Sequence, residues 1–129
     1  MALKRNVGLW QGLKYRGGGP MIAWLLHRIG GLGMVILVSL HILASFLDYQ
    51  LGNDLGRTIN TIYESIYFQV FVCFFVIFHA INGLRIIVLD VWPQMLEYQR
   101  EATWLEWLIF IPVYAMTVFI MIQRAISGE

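Results

Sequence analysis

Residues 78–90 read Phe-His-Ala-Ile-Asn-Gly-Leu-Arg-Ile-Ile-Val-Leu-Asp and close an apolar run that begins near Ile66. Within this run His79, Asn82 and Arg85 stand among hydrocarbon side chains. An ionisable group inside a membrane span is costly, so it usually has a function. The stretch therefore predicts a membrane helix that carries a functional histidine.

The composition of the whole chain limits its class. Of the 129 residues, 59% are hydrophobic and 13% are charged, whereas ordinary soluble domains carry roughly 25% charge. Three apolar runs, at about 21–47, 65–89 and 104–122, are each long enough to cross a hydrocarbon core of ~30 Å. We therefore expect an all-α polytopic membrane protein, with residues 1–129 forming one domain of three transmembrane helices. The near-zero net charge, without a basic patch, argues against binding of nucleic acid.

The remaining segments are interpreted as connections and anchors. Residues 48–64 and 90–103 are taken as polar loops, the first with Gly52-Asn53-Asp54 as turn chemistry. The third span is interpreted as lacking a histidine and an interior charge, so its expected role is packing and anchoring. This span contains aromatic residues suited to packing or to the membrane interface, namely Trp104, Trp107 and Tyr114.

The distribution of cations predicts the orientation in the membrane. Four precede the first span, and two more belong to the same side of the membrane (Lys4, Arg5, Lys14, Arg16; Arg85, Arg100). The opposite side has only Arg57 and Arg124. Because loops rich in lysine and arginine stay in the cytoplasm, we expect the N-terminus to be cytoplasmic.

Gly83 follows His79 by about one turn on the same helix face. A glycine there predicts a flat notch beside the imidazole. A planar cofactor such as haem needs such a notch, since neutral histidine is a common axial ligand of iron. A histidine that hydrogen-bonds between helices is the alternative, and this stretch alone favours neither.

Two further histidines lie on the first span. His27 and His41 are separated by ~21 Å of rise and about 40° of rotation, so they share a face but not a depth. His41 and His79 differ in depth by roughly 14 Å, which is too far for one iron to bind both. If haem is present, each histidine needs a partner from another chain, or only one is a ligand.

Arg28 follows His27 directly, and three glycines come next (Gly30, Gly31 and Gly33). The two basic side chains could extend to the lipid headgroups, or they could bind the propionates of a haem. Arg28 could also polarise a carbonyl of a membrane-soluble quinone, with Trp24 one turn earlier as an aromatic wall. The glycines let another backbone or a flat ligand approach the helix closely.

Two of these stretches resemble a known family. Residues 24–31, Trp-Leu-Leu-His-Arg-Ile-Gly-Gly, resemble the His-Arg-x-[Thr/Ser]-Gly signature of the cytochrome b membrane-anchor subunit of succinate dehydrogenase, respiratory complex II. Residues 78–85, with Asp90 after them, resemble the His-x-x-x-Gly-[Ile/Leu]-Arg signature and trailing aspartate of the same subunit. Tyr15-Arg16-Gly17 and Tyr98-Gln99-Arg100 are looser likenesses to prokaryotic two-anchor forms.

The resemblance implies roles for individual residues. His79 matches the axial ligand of haem b, and Gly83 and Arg85 belong to the same cofactor-binding signature. His27 and Arg28 match residues near the haem propionates and the quinone.

Three positions qualify that match. Trp24 stands where the family often has a serine, which argues against a hydroxyl contact to quinone from this chain. Gly30 stands where serine or threonine is common. His41 matches the first-helix histidine of two-haem forms, and this match implies a second haem nearer the outer face.

The resemblance also implies partners and location. The chain would form half of a haem-binding helical bundle, completed by a second membrane-anchor subunit, in the cytoplasmic (cell inner) membrane of a prokaryote. An iron–sulfur subunit and a flavoprotein subunit would deliver electrons from succinate, as in the tricarboxylic acid cycle. With Cys73 as its one cysteine and no flavin fingerprint, this chain needs those cofactors to be elsewhere. A fumarate reductase anchor, which runs the reverse reaction, and a non-redox helical anchor without haem remain alternatives.

Overall fold

The computed structural model describes residues 8, 10, 11, 14 and 16–128. Within residues 16–128 the chain forms α1 (Gly18–Leu51), α2 (Asp54–Glu64), α3 (Ile66–Val91) and α4 (Gln99–Ser127), with a 3-10 helix at Pro93–Tyr98 before α4. Lys4, Arg5 and Tyr15, which contribute to the predicted orientation and to the family likeness, lie outside the described residues.

Three helical segments are long and apolar enough to cross a membrane. They are α1, α3 and the segment Pro93–Ser127, whose most apolar 18-residue stretches have mean hydropathies of 2.1, 2.2 and 2.1. The part of the chain that the structure describes contains helices and no strand. The predicted all-α fold with three transmembrane helices is therefore confirmed.

The connection between the first two spans differs from the prediction. Gly52 ends α1 in the left-handed region at φ 60°, and its N–H donates to the Asp48 carbonyl at 2.9 Å. The Asn53 side chain then caps α2 by accepting from the N–H groups of Leu55 and Gly56 at 2.9 and 3.3 Å. The turn was predicted correctly, but the interpretation of residues 48–64 as a loop is wrong. The polar residues of 54–64 form one face of an amphipathic helix.

Helix α2 packs against the end of α1 with the two backbones in direct contact. A Cβ atom at Gly56 would lie 2.6 Å from the Ala44 carbonyl oxygen, so only glycine fits this crossing. Buried Asn60 donates to the Asp48 carboxylate at 3.1 Å and accepts from the Ser45 hydroxyl at 3.3 Å. These contacts hold the short helix as a cap on the Leu51 end of the bundle.

The core lies where α1, α3 and α4 meet. Ala23, Phe78 and Phe110 are buried at its centre. The Phe78 and Phe110 rings pack edge to face, with centroids 5.5 Å apart at 84°, a preferred arrangement of aromatic pairs. Trp107 packs against this cluster as predicted, whereas Trp104 is 70% exposed. Because neighbouring aromatic rings from α3 and α4 interlock here, the core fixes the register of these two helices.

The second connection is shorter than predicted. Pro93–Tyr98 is a 3-10 helix, and α4 begins at Gln99 rather than at the expected residue 104. The interpretation of the third span as free of interior charge is also wrong, because Glu106 is only 3% exposed. A single acid has little effect on the mean hydropathy of a long apolar run, so the hydropathy of the third span does not reveal Glu106.

The outer surfaces of the spans are apolar. Along α1, for example, Leu32, Val35 and Ile42 are 66%, 64% and 64% exposed. In a bilayer such surfaces contact lipid tails or the helices of other chains. The three-helix arrangement therefore leaves much of α1 available for contact with other molecules in the membrane.

Candidate functional site

The structure brings His27 of α1 and His79 of α3 together. Their ring centroids lie 3.8 Å apart and their planes differ by 9°, so the imidazoles are stacked. His27 lies in the third turn of α1, and His79 lies about three turns before the end of α3. Because the two helices run in opposite directions, these positions meet at a similar height. The sequence places the two residues on different helices but does not predict that their rings touch.

A hydrogen bond indicates which nitrogen of the neutral His79 ring carries the proton. Its Nδ1 lies 3.2 Å from the main-chain carbonyl oxygen of His27. Because a carbonyl oxygen only accepts, Nδ1 is the protonated nitrogen and Nε2 carries the lone pair. Histidines that bind metals commonly donate their other ring N–H to a backbone carbonyl in this way. In this tautomer Nε2 is the nitrogen that can bind a metal.

Two glycines leave room for the stacked rings. Gly31 of α1 faces the ring of His79 on α3, and Gly83 of α3 faces the ring of His27 on α1. A Cβ atom at Gly31 would lie 2.9 Å from Cε1 and 3.3 Å from Nδ1 of His79. A Cβ atom at Gly83 would lie 3.5 Å from Cε1 of His27. Gly31 is thus the glycine in close contact with the His79 ring, and the predicted notch for a planar cofactor at Gly83 stays a prediction. The facing helix, and not the next turn of the same helix, sets the room available to each imidazole.

Arg28 and Trp24 lie together on the exposed side of α1. The Arg28 guanidinium carbon is 4.6 Å from the centroid of the Trp24 ring, within the range of a cation–π contact. Trp24 is 48% exposed, and Arg28 is exposed as well. A planar charged group beside an indole face therefore borders the stacked histidines where another molecule can reach it. Their assignment to a quinone site stays a prediction.

Arg85 is directed toward α4. Its Nε lies 3.1 Å from the Glu106 carboxylate, and the two side chains are 9% and 1% exposed. Its guanidinium also donates to the Thr103 hydroxyl, which donates in turn to the Gln99 carbonyl at 2.9 Å. A role of Arg85 in cofactor binding stays a prediction. Within this chain its positive charge is paired with the Glu106 carboxylate.

Sequence reasoning missed Glu106 and Thr103. The available signal was an acid inside an apolar run, which is the same signal that drew attention to Arg85. Asn82 was noticed, but no role was assigned to it. Its side chain is fully buried, and its amide makes no hydrogen bond with any of the described residues.

His41 lies at the other end of the bundle and is exposed. Its ring stacks on Tyr63 of α2, with centroids 4.8 Å apart at 19°. The Tyr63 hydroxyl donates to the Leu37 carbonyl at 2.8 Å, which fixes the position of the tyrosine ring. His41 is therefore accessible from outside the three-helix core.

Comparison with known proteins decides the family. Residues 3–122 match the family described as succinate dehydrogenase/fumarate reductase transmembrane subunit. The chain belongs to this family. The Succinate dehydrogenase 2 membrane subunit SdhC of Mycobacterium tuberculosis (strain ATCC 25618 / H37Rv) is 31% identical over 100 residues, which cover 75% of this chain and 73% of the relative.

Membership confirms the resemblance carried by residues 24–31 and 78–85. The chain is a multi-pass membrane-anchor subunit of an enzyme complex, and it works with other subunits. The stacked histidines and the Arg28–Trp24 pair lie in the half of the bundle nearer Gly18.

Proposed function

We propose that this anchor subunit binds haem b through His79 and forms one side of a quinone site with His27, Arg28 and Trp24. Electrons from succinate would pass from a flavoprotein subunit to an iron–sulfur subunit and from there to this anchor. They would leave on membrane quinone. A second anchor subunit would complete the bundle in the cytoplasmic membrane of a prokaryote, with the N-terminus in the cytoplasm. The fumarate reductase direction uses the same arrangement in reverse.

The hydrogen bond from His79 Nδ1 to the His27 carbonyl carries the proposal. It leaves the Nε2 lone pair for iron, as described for the ligands of metal sites. The stack on His27 and the close fit against Gly31 restrict rotation of the ring. These observations fit an axial ligand, and when bound the haem would supply one-electron transfer.

The quinone part of the proposal rests on Arg28 and Trp24. The Arg28 guanidinium can donate hydrogen bonds to a quinone carbonyl oxygen, since it is always charged and carries several N–H groups. The Trp24 ring holds the guanidinium at 4.6 Å and offers an apolar wall to the quinone ring. Both are exposed on α1, so a quinone held between this chain and a second subunit could reach them.

Spectra of variants test the haem proposal. In the assembled complex, His79→Ala should remove or greatly alter the low-spin absorbance in the reduced-minus-oxidised spectrum, because Nε2 is lost. Leu84→Ala is the matched control, since it shortens an exposed apolar side chain of the same helix about one turn from His79. A spectrum that is unchanged in His79→Ala would refute the assignment.

A second haem at His41 is the further candidate. It is favoured by the exposed imidazole on an apolar helix, held against Tyr63 and distant from His79. The stoichiometry tests it. Two haems per copy of this chain, with one lost in His41→Ala and the other retained, are expected, and one haem per copy would refute the second site.

A further inference from the structure

The His27 carbonyl bonds with His79 although it belongs to a helix. In an α-helix the carbonyl of residue 27 accepts the N–H of residue 31. A side chain four residues on lies close enough to that carbonyl for serine or threonine to bond with it there. At position 31 this chain has a glycine, so that side of the carbonyl is open.

The distances show what occupies the open space. A Cβ atom at position 31 would come within 2.9 Å of His79 Cε1 and 3.3 Å of Nδ1. Contacts of 2.9 Å do not occur between real carbon atoms that are not bonded, so one of the groups would have to move. The clashing atoms belong to the end of the His79 side chain, so the imidazole would shift, and a shift away from the new Cβ would displace Nδ1 from the His27 carbonyl.

We propose that Gly31 is a positioning residue for His79: it opens the His27 carbonyl to the imidazole, so that Nδ1–H donates there and Nε2 faces away as the ligand. This inference rests on the proposed function, since it concerns the ligand that the haem would use. It assigns a specific task to one glycine of a glycine-rich segment.

General helix packing is the competing explanation of these glycines. A Cβ atom at Gly30 would meet Phe75 at 3.1 Å, and one at Gly33 would meet no atom within 4 Å. Of the three glycines, Gly31 is thus the one that faces the imidazole. Gly33→Ala is therefore a matched control on the same helix, two residues away.

The test is the midpoint potential of the haem in the assembled complex. The bond to the carbonyl makes the ligand more basic, and a more basic ligand stabilises ferric iron. Gly31→Ala should therefore raise the midpoint potential and change the electron paramagnetic resonance g values of the ferric haem. Gly33→Ala should leave both at the wild-type values. Wild-type values in Gly31→Ala, or equal shifts in the two variants, would overturn the inference.

If the complex with Gly31→Ala does not assemble, a measurement on the wild-type complex tests the inference instead. Electron–nuclear double resonance with isotope-labelled histidine should detect an exchangeable, hydrogen-bonded proton on the His79 nitrogen remote from iron. The absence of that proton would overturn the inference. The outcomes are separable from failure of the proposed function. A haem content and spectrum that are unchanged in His79→Ala refute the ligand itself. A haem that is lost in His79→Ala, but whose midpoint potential and g values stay at the wild-type values in Gly31→Ala, refutes the role of Gly31 alone.

Discussion

Removal of one partner of the Arg85–Glu106 ion pair should greatly destabilise the anchor subunit. The side chains are 9% and 1% exposed and their charged atoms are 3.1 Å apart, so both charges are withdrawn from water. Loss of one partner of a buried pair typically costs about 3–5 kcal/mol, because the other charge stays buried without compensation. We therefore expect Arg85→Met to lower the free energy of unfolding by about that amount.

The double variant separates burial from pairing. Arg85→Met with Glu106→Leu removes both charges, and replacement of a buried pair by apolar side chains is often neutral or stabilising by ~1–4 kcal/mol. The double variant should thus be more stable than either single variant, which is a strong departure from additivity.

The assay is detergent-induced unfolding of the purified subunit, followed by circular dichroism. The matched control is the pair Arg57–Asp54, at 3.5 Å with side chains 63% and 96% exposed. Since exposed pairs contribute ~0–1 kcal/mol, Asp54→Asn should change stability little. A loss of less than about 1 kcal/mol in the free energy of unfolding for Arg85→Met would refute the reasoning. The buried pair would then contribute no more to stability than an exposed ion pair does.

Three further predictions follow from the packing and from the exposed face of α1. Gly56→Ala should destabilise the fold by about 1–3 kcal/mol, because the new Cβ would lie 2.6 Å from the Ala44 carbonyl oxygen; wild-type stability in the same unfolding assay would contradict this. Asn82→Leu should not lower stability, because it removes a buried amide that bonds with no described residue and keeps the same branched arrangement of heavy atoms; a clear loss would show that the amide is satisfied. Arg28→Leu should reduce quinone reduction while succinate oxidation by a water-soluble acceptor stays nearly intact, and equal loss of both activities would indicate failed assembly instead.

The spans could be predicted from the sequence because the bilayer imposes a length and a composition on them. The turn at Gly52 and Asn53 was equally accessible, since both residues act through their own local backbone. Helix α2 was missed because its polar face gives it the overall polarity of a loop. The residues that it buries against α1 are Gly56 and Asn60, and neither is a large apolar residue that would mark a packed helix in the sequence.

Contacts between helices were the part that the sequence did not reveal. The stack of His27 on His79, the space at Gly31 and the pairing of Arg85 with Glu106 all depend on the register and rotation of one helix against another. The interlocking rings of Phe78, Phe110 and their neighbours set that register. Such packing is a property of the assembled bundle, so spacing along one helix could not show that Gly83 faces the His27 ring on α1.

The haem content of the purified complex tests the central claim most directly. The account predicts a low-spin b-type signal in the reduced-minus-oxidised spectrum, with at least one haem per copy of this chain, and predicts that His79→Ala loses the haem bound there. A complex that retains all its subunits and reduces quinone, yet shows no haem absorbance, would contradict the account.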